Sequence, residues 1–173
     1  WTPQMVGFFA PATHEIGNIA KGLTDADVVS EITMDTPAQF HNAMEPHAIV
    51  AEWVQEDGRA RLLLDTPNQG PVMTAGLLAG YLGIAAEDVV LRTPFIGGGF
   101  GSKLMIYGAM VLTALAARAQ GRAVKTVLTR AQMYGPVGHR AGTRQKLTLG
   151  VGRDGRLTAL SHGVQGLTSS FED

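Results

Sequence analysis

The sequence has 173 residues, of which 45% are hydrophobic and 17% charged, as is ordinary for a globular protein of one domain or of one domain and part of another. Its formal net charge is −1 and it carries no basic block, so composition does not support nucleic-acid binding or attraction to a membrane surface. There is no cysteine, which excludes disulfides, thiolate metal sites and a cysteine nucleophile within these residues.

The ends of the sequence suggest part of a longer polypeptide. The first residue is Trp1 rather than an initiator methionine, and residues 155–173 resemble a strand that stops abruptly. We therefore expect the chain to be a fragment of a larger protein.

Alternating apolar and polar residues predict three strands in the first part of the chain. The first strand falls within residues 25–37 and ends at Pro37. The second and third fall within 47–54 and 58–66, and the turn residues Glu-Asp-Gly between them predict a tight connection.

Two helices follow. The segment 70–83 has Pro71 near its start and Gly83 at its end, which is typical of a helix with a glycine stop. The segment 104–121 is almost uniformly apolar from Leu104 to Ala117 and predicts a buried helix.

The remaining strands complete the predicted architecture. Short strands are predicted within 87–93 and 123–129, and a hairpin that turns at 153–155 is predicted within 142–160. Because strands and helices are mixed, with only one strand–loop–helix–strand stretch, the sequence predicts an α+β fold with mixed sheets and two main helices.

The segment PFIGGGFGSK, residues 94–103, contains four glycines followed by a lysine. A glycine loop between a strand and a helix can bind an anion through backbone N–H groups. The spacing does not match a phosphate-binding P-loop or a dinucleotide fingerprint, because Ser102 stands where each pattern needs a glycine. A nucleotide phosphate site and a simple close-packed turn both remain open at this point.

Four stretches in order resemble the molybdenum hydroxylases, the family of xanthine dehydrogenase and aldehyde oxidase, and specifically their molybdopterin-binding subunit. They are HNAMEPHA (41–48), TPNQG (66–70), GGGFGSK (97–103), and TRAQM with GHR (129–133 and 138–140). The first of them is similar to the bacterial aldehyde and isoquinoline oxidoreductase branch. The resemblance covers nearly the whole chain and implies a partial molybdopterin-binding domain, with 1–36 leading in from a preceding domain and 37–173 forming the first cofactor-binding subdomain.

The resemblance also implies a site. Backbone N–H groups of Gly98, Gly99, Phe100 and Gly101 would approach the cofactor, and the Gln69 amide would donate to an oxygen on molybdenum. The metal would be held by sulfurs of the pterin, so no protein ligand to it is expected.

Arg140 would bind substrate through its guanidinium. Judged by spacing alone, the sequence favours a surface turn residue at Gln69 and a solvated loop arginine at Arg140. Neither role can therefore be read from local sequence without the resemblance.

The segment HNAMEPHA contains His41, Glu45 and His47, which together could suggest a metal site. Their spacing does not match the helical His-Glu-x-x-His zinc motif, and the proline between them breaks any helix. We expect a buried polar turn beneath the active site instead, with Phe40 and Met44 packed.

The implied reaction is hydroxylation of an aldehyde or an N-heterocycle with water as the oxygen source. Leu104 stands where xanthine-oxidising members carry an acid, which argues against a purine substrate. The glutamate base of the family falls outside this chain, so we expect the isolated chain to be inactive.

The implied cofactor is molybdenum with molybdopterin in its cytosine dinucleotide form, served by [2Fe–2S] clusters and FAD on partner domains or subunits. A small-molecule substrate is expected, with no nucleic acid and no membrane as partners, and both cytoplasm and periplasm remain open. The alternatives are a nucleotide phosphate-binding domain that uses the glycine loop and a non-catalytic scaffold relative.

Overall fold

The computed structural model describes residues 5–6 and 10–167. They divide into a central unit, residues 38–140, and a terminal unit formed by residues up to 37 and from 141 onward. The division expected between residues 36 and 37 concerns the domains of a longer parent protein and remains a prediction.

The elements follow each other in mixed order. The strands are β1 (Met5–Val6), β2 (Ala10–Pro11), β3 (Val28–Thr36), β4 (Ala48–Glu56), β5 (Arg59–Asp65), β6 (Val89–Arg92), β7 (Val124–Val127), β8 (Thr143–Val151) and β9 (Leu157–Gly166). The helices are α1 (Ile19–Thr24), α2 (Pro71–Leu82) and α3 (Gly108–Gln120), with short 3₁₀ helices at Ala86–Asp88 and Ala131–Tyr134. The predicted α+β class with mixed sheets and two main helices is confirmed.

The central unit is built on a four-stranded sheet in the order β6-β5-β4-β7. Strands β5 and β6 are parallel, and the other two neighbouring pairs are antiparallel. The predicted tight turn between β4 and β5 consists of Asp57 and Gly58, with φ of 51° and 75°. Positive φ at both central residues matches the right-handed twist of the paired strands, which is why Asp-Gly suits this connection.

The core of the central unit lies between this sheet and its two helices. Alternate residues of the paired strands point inward, and both helices contribute small and medium side chains to the same cluster. The fully buried aliphatic members are Ile49, Ala51, Leu62, Leu64, Leu78, Met110, Ala114 and Ala117. The half-buried Trp53 also donates its indole N–H to the carbonyl oxygen of Ala114 at 2.8 Å, which ties α3 to β4.

Helix α2 has the ends that its sequence predicts. Pro71 is its first residue, where a missing N–H costs nothing. Gly83 ends it in the left-handed conformation, with φ of 66°, and its N–H bonds to the last turn of the helix.

Helix α3 is shorter and less buried than its sequence predicts. It begins at Gly108 rather than near Leu104, and Tyr107, just before it, is buried against the ring of His47. Leu112 and Leu115 are exposed, so only one face of the helix is covered, and the prediction of a fully buried helix was wrong. In the described part of the chain, no helix has the length and apolar character needed to cross a membrane.

The terminal unit contains an antiparallel sheet in the order β3-β8-β9. The predicted hairpin of β8 and β9 is confirmed, and β3 pairs with β8 along its whole length, from Val28 opposite Val151 to Thr36 opposite Thr143. Helix α1 lies against this sheet at Gly22, where a Cβ atom would overlap the carbonyl oxygen of Thr158.

The register of the terminal sheet puts several exposed apolar side chains on one face. They are Val28, Ile32, Met34, Leu160 and Val164. Cross-strand neighbours share a face of a sheet, so these side chains form one apolar surface. We call this surface the apolar sheet face.

Candidate functional site

The turn that carries Gln69 is held by the residue before it. Asn68 is buried, and its Oδ1 accepts hydrogen bonds from the N–H of Gly70 (2.8 Å) and the hydroxyl of Thr74 (3.1 Å). These hydrogen bonds close the turn between β5 and α2. The side chain of Gln69 is not needed to hold the turn and can extend away from it.

The side chain of Gln69 reaches the glycine segment. Its Oε1 accepts from the backbone N–H of Gly101 at 2.9 Å and of Lys103 at 3.3 Å. Its own backbone N–H donates to the carbonyl oxygen of Lys103 at 2.9 Å. With the oxygen end of the amide fixed in this way, Nε2 is the end that remains available as a donor.

Residues 97–103 form a tight bend, which we call the glycine bend. Four of its residues have positive φ: Gly97 (56°), Gly98 (90°), Phe100 (54°) and Gly101 (103°). A left-handed conformation at phenylalanine is strained, and such strain is typical of positions fixed by function.

Within the described residues, the backbone N–H groups of Gly98, Gly99 and Phe100 donate to no acceptor. The N–H of Gly101, by contrast, is used by Gln69. The bend therefore offers successive unpaired donors, which is the arrangement that binds an oxygen-rich or anionic group.

Gly99 is the position where the bend and Gln69 approach most closely. A Cβ atom there would lie 2.6 Å from Cδ of Gln69, a distance that van der Waals contact does not allow. Only glycine lets the amide of Gln69 lie across the bend at this point.

Arg140 shares a cleft with Phe100. Its backbone forms a two-bond bridge with Gln39, in which each N–H donates to the other residue's carbonyl oxygen, at 3.0 and 2.8 Å. Gln39, Phe40, His41, Phe100 and Arg140 line a cleft of about 260 Å³.

The cleft carries the positive charge of Arg140, and none of its lining residues is acidic. Burial, followed by the neighbouring Arg140 and His139, lowers the pKa of His41 below its ordinary value. His41 is therefore mainly neutral near pH 7, and its buried Nδ1 has no hydrogen-bond partner in the described residues. The cleft can accept a carbonyl or another acceptor group beside the guanidinium.

The segment HNAMEPHA differs from expectation in part. Met44 is 86% exposed, so its predicted packing was wrong, whereas Phe40 does contact the rings of Tyr134 and His139, each at 5.5 Å between centroids. The side chain of Arg130 donates to the carbonyl oxygens of residues 43 and 44 and so holds the segment in place.

Two further findings bear on anion and metal binding. No cluster of three metal-ligating side chains occurs within residues 5–6 and 10–167. The glycine bend does not lead directly into a helix, because α3 starts only at Gly108. The helix N-terminus on which a nucleotide phosphate site would depend is thus missing from the bend.

The structure brings together the residues that the sequence singled out. Gln69 contacts the glycine bend from one side, and Phe100 of that bend shares the cleft with Arg140. Sequence reasoning did not place Gln39, Phe40 and His41 in this cleft. The histidines at positions 41 and 47 indicated a functional segment there, but their spacing did not show what the segment binds.

The comparisons with known proteins identify the class. The family model for the molybdopterin cofactor-binding domain matches residues 3–170, and the chain belongs to this family. The resemblance to the molybdenum hydroxylases of the xanthine dehydrogenase and aldehyde oxidase family is thereby confirmed.

Two curated relatives match most of the chain. The aldehyde oxidoreductase molybdenum-binding subunit PaoC of Escherichia coli K12 is 42% identical over 147 residues, which cover 85% of this chain and 20% of the relative. The xanthine dehydrogenase/oxidase of Felis catus is 32% identical over 156 residues, which cover 88% of this chain and 12% of the relative. The chain thus spans a fifth or less of these two proteins.

Among solved structures, the aldehyde oxidoreductase from Desulfovibrio gigas matches with a TM-score of 0.76 at 23% identity. The match covers 87% of this chain and 16% of that one. At this level of identity the likeness supports the fold.

Proposed function

We propose that the chain is part of the catalytic subunit of a molybdenum hydroxylase and forms one wall of a site that oxidises an aldehyde or an N-heterocycle, with water as the oxygen source. The observation that carries the proposal is the convergence of two segments, distant in sequence, on the glycine bend. Gln69 binds the glycine bend on one side, and Arg140 shares a cleft with its Phe100.

The residues present fit a molybdopterin cofactor. Unpaired N–H groups of Gly98, Gly99 and Phe100 would hold its oxygen atoms, and Nε2 of Gln69 would donate to an oxygen on the metal. Gly101 contributes differently, because its N–H holds Gln69 rather than the cofactor. When bound, the cofactor supplies the two-electron oxidation of the substrate.

Arg140 and the aromatic walls of the cleft would bind the substrate. The guanidinium would orient a carbonyl or ring nitrogen, while Phe40 and Phe100 cover the apolar part. Glu45 is not placed as the catalytic base, since its carboxylate is engaged by Lys103. The base would therefore come from another part of the parent protein, and the isolated chain would not turn over.

The finer assignments belong to the same proposal. They are the cytosine dinucleotide form of the cofactor, and the [2Fe–2S] clusters and FAD on partner domains or subunits. The E. coli relative is a molybdenum-binding subunit, and its multi-subunit organisation supports partner subunits here as well.

The experiment that tests the proposal uses the full-length protein. We expect it to contain molybdenum by elemental analysis and to oxidise an aromatic aldehyde. Arg140→Ala should lower kcat/KM by roughly 100-fold, because a guanidinium that stabilises developing charge is worth several kcal/mol. Arg153→Ala, an exposed arginine in the β8–β9 turn, is the matched control and should leave kcat/KM unchanged.

Two results would count against the proposal: a full-length protein without molybdenum, or an Arg140→Ala variant with wild-type kcat/KM. The scaffold alternative predicts a full-length protein that does not oxidise the aldehyde at all. The nucleotide alternative predicts saturable binding of a nucleoside triphosphate, which a calorimetric titration would detect.

A further inference from the structure

A buried lysine holds the two ends of the glycine bend together. Lys103, the last residue of the bend, is 0% exposed. Its Nζ donates to Oε2 of Glu45 at 2.9 Å and to the carbonyl oxygen of Ile96, the residue just before the glycines. Because a buried ammonium is costly without acceptors, these two contacts fix its position and join the two ends of the bend.

Glu45 holds the bend at a second point. Its backbone N–H donates to the carbonyl oxygen of Gly97 at 3.0 Å. A Cβ atom at Gly97 would overlap the side chain of Glu45, so the two backbones lie in direct contact. Glu45 therefore fixes the start of the bend by its main chain and the end of the bend by its carboxylate.

The main chain of Lys103 is also where Gln69 is held. Lys103 donates its N–H to Oε1 of Gln69, and its carbonyl oxygen accepts from the N–H of Gln69. Any shift of Lys103 is consequently passed to the side-chain amide of Gln69 through one hydrogen bond and to its main chain through the other.

We propose that Lys103 and Glu45 are a positioning pair, which holds the glycine bend in the one shape that leaves Nε2 of Gln69 directed at the ligand. The ligand in this statement rests on the proposed function. The mechanical part, a bend and an amide fixed by a buried ion pair, rests on this chain alone.

The two partners differ in exposure, and this difference gives the pair a recognisable signature. The side chain of Glu45 is 38% exposed, whereas that of Lys103 is 0% exposed. Losing Lys103 leaves a carboxylate that water can reach. Losing the charge of Glu45 leaves a buried ammonium with neutral acceptors only, which is the more damaging change.

The test uses the full-length protein with Glu45→Gln, Lys103→Met and the double variant. We measure molybdenum content, kcat per bound molybdenum, KM for an aldehyde, and amide hydrogen exchange of the peptide covering residues 96–104. We expect Glu45→Gln to lower kcat per molybdenum by about 100-fold with KM changed less than about threefold, because misplacing a polar group by about 1 Å costs that much.

Exchange of the 96–104 peptide should become faster in Glu45→Gln. The double variant, which has no stranded charge, should recover part of both losses. Glu87→Gln, which removes a carboxylate from the exposed pair with Arg59, is the matched control and should change neither quantity.

Three outcomes would overturn the positioning role. The first is Glu45→Gln protein with wild-type exchange and wild-type kcat, and the second is a double variant with no higher kcat and no slower exchange than Glu45→Gln. The third is Glu45→Gln protein that binds less molybdenum but has normal kcat per bound molybdenum. If Glu45→Gln fails to fold, Lys103→Met carries the same measurements. If the wild-type protein holds no molybdenum, the proposed function fails, and the exchange of the 96–104 peptide still decides whether the pair fixes the bend.

Discussion

Two glycines of the site matter because they have no Cβ atom, which makes room for the side chains of other residues. Gly99 admits the amide of Gln69, and Gly97 admits the side chain of Glu45. Sequence motifs indicated that the glycines matter, but the partner of each one was invisible, because those contacts join positions far apart in the chain. The same limit explains why the ion pair of Lys103 and Glu45 could not be predicted from spacing.

Gly99→Ala should lower the free energy of unfolding by about 1–3 kcal/mol, because its Cβ overlaps Gln69 and forces the bend or the amide to shift. Chemical denaturation of the full-length protein measures the change. Gly76→Ala is the control: Gly76 is an exposed residue of α2 with open space around it, so alanine should leave stability unchanged or raise it by up to about 1 kcal/mol. Equal effects of the two substitutions would show that Gln69 does not occupy the space at Gly99.

His47 connects the bend to its surroundings and makes stability depend on pH. Its ring Nε2 lies 3.0 Å from the carbonyl oxygen of Ser102, and this oxygen can only accept, so Nε2 carries the proton. Burial, followed in effect by the positive charge of Lys103, lowers the pKa of His47 below its ordinary value, against the raising effect of the Ser102 carbonyl.

The unfolded chain therefore takes up a proton at His47 near pH 6.5, where the folded protein does not. This contribution to stability is fully present above about pH 6.5 and is lost as the pH falls towards the lower folded pKa. Between about pH 7.5 and 5.5, wild-type protein should therefore lose more free energy of unfolding than His47→Gln, because only the wild-type chain takes up this proton on unfolding. Parallel denaturation curves at the two pH values measure this, and equal losses in both proteins would contradict it.

At the scale of elements, most of the secondary structure could be predicted and one boundary could not. The apolar pattern and the turn residues between the strands predicted β3 to β5, and proline and glycine marked both ends of α2. Residues 104–107 read as helix because they are apolar, yet Tyr107 is buried against His47 before α3 begins. The apolar character of these residues indicates burial, but it does not distinguish a buried loop from a buried helix.

The burial of α3 was overestimated for a related reason. Its apolar residues surround the helix, but only Met110, Thr113, Ala114 and Ala117 are buried. In a chain that spans 20% of the E. coli relative, apolar residues can be selected for contacts with parts that this chain does not include. Periodicity alone does not distinguish apolar residues buried within this chain from apolar residues that contact another part of a longer protein.

At the scale of the whole molecule, exposed apolar side chains of the described residues are grouped on faces, and a monomeric soluble domain rarely leaves large apolar faces in water. The apolar sheet face of the terminal unit and the outer side of α2, with Val72, Leu77 and Tyr81, are the clearest examples. We expect the 173-residue chain, expressed by itself, to bind an environment-sensitive apolar dye strongly and to self-associate.

The measurement is dye fluorescence together with light scattering, compared with the full-length protein at equal molar concentration. Replacing Ile32 and Leu160 by threonine should weaken dye binding to the isolated chain, because both side chains lie on the apolar sheet face. An isolated chain that is monodisperse and does not bind the dye would show that these faces need no cover.

The pairing of β3 with β8 has a consequence for synthesis on the ribosome. β3 leaves the exit tunnel before its partner β8, which is translated only after all of residues 38–140. The nascent central unit can collapse during this wait, and its compaction shortens the effective gap that β3 must close, which lowers the entropic cost of the pairing. A substitution that slows folding of the central unit would therefore leave β3 unpaired for longer in the nascent chain. An unpaired strand exposes free backbone N–H and C=O groups and is prone to aggregation.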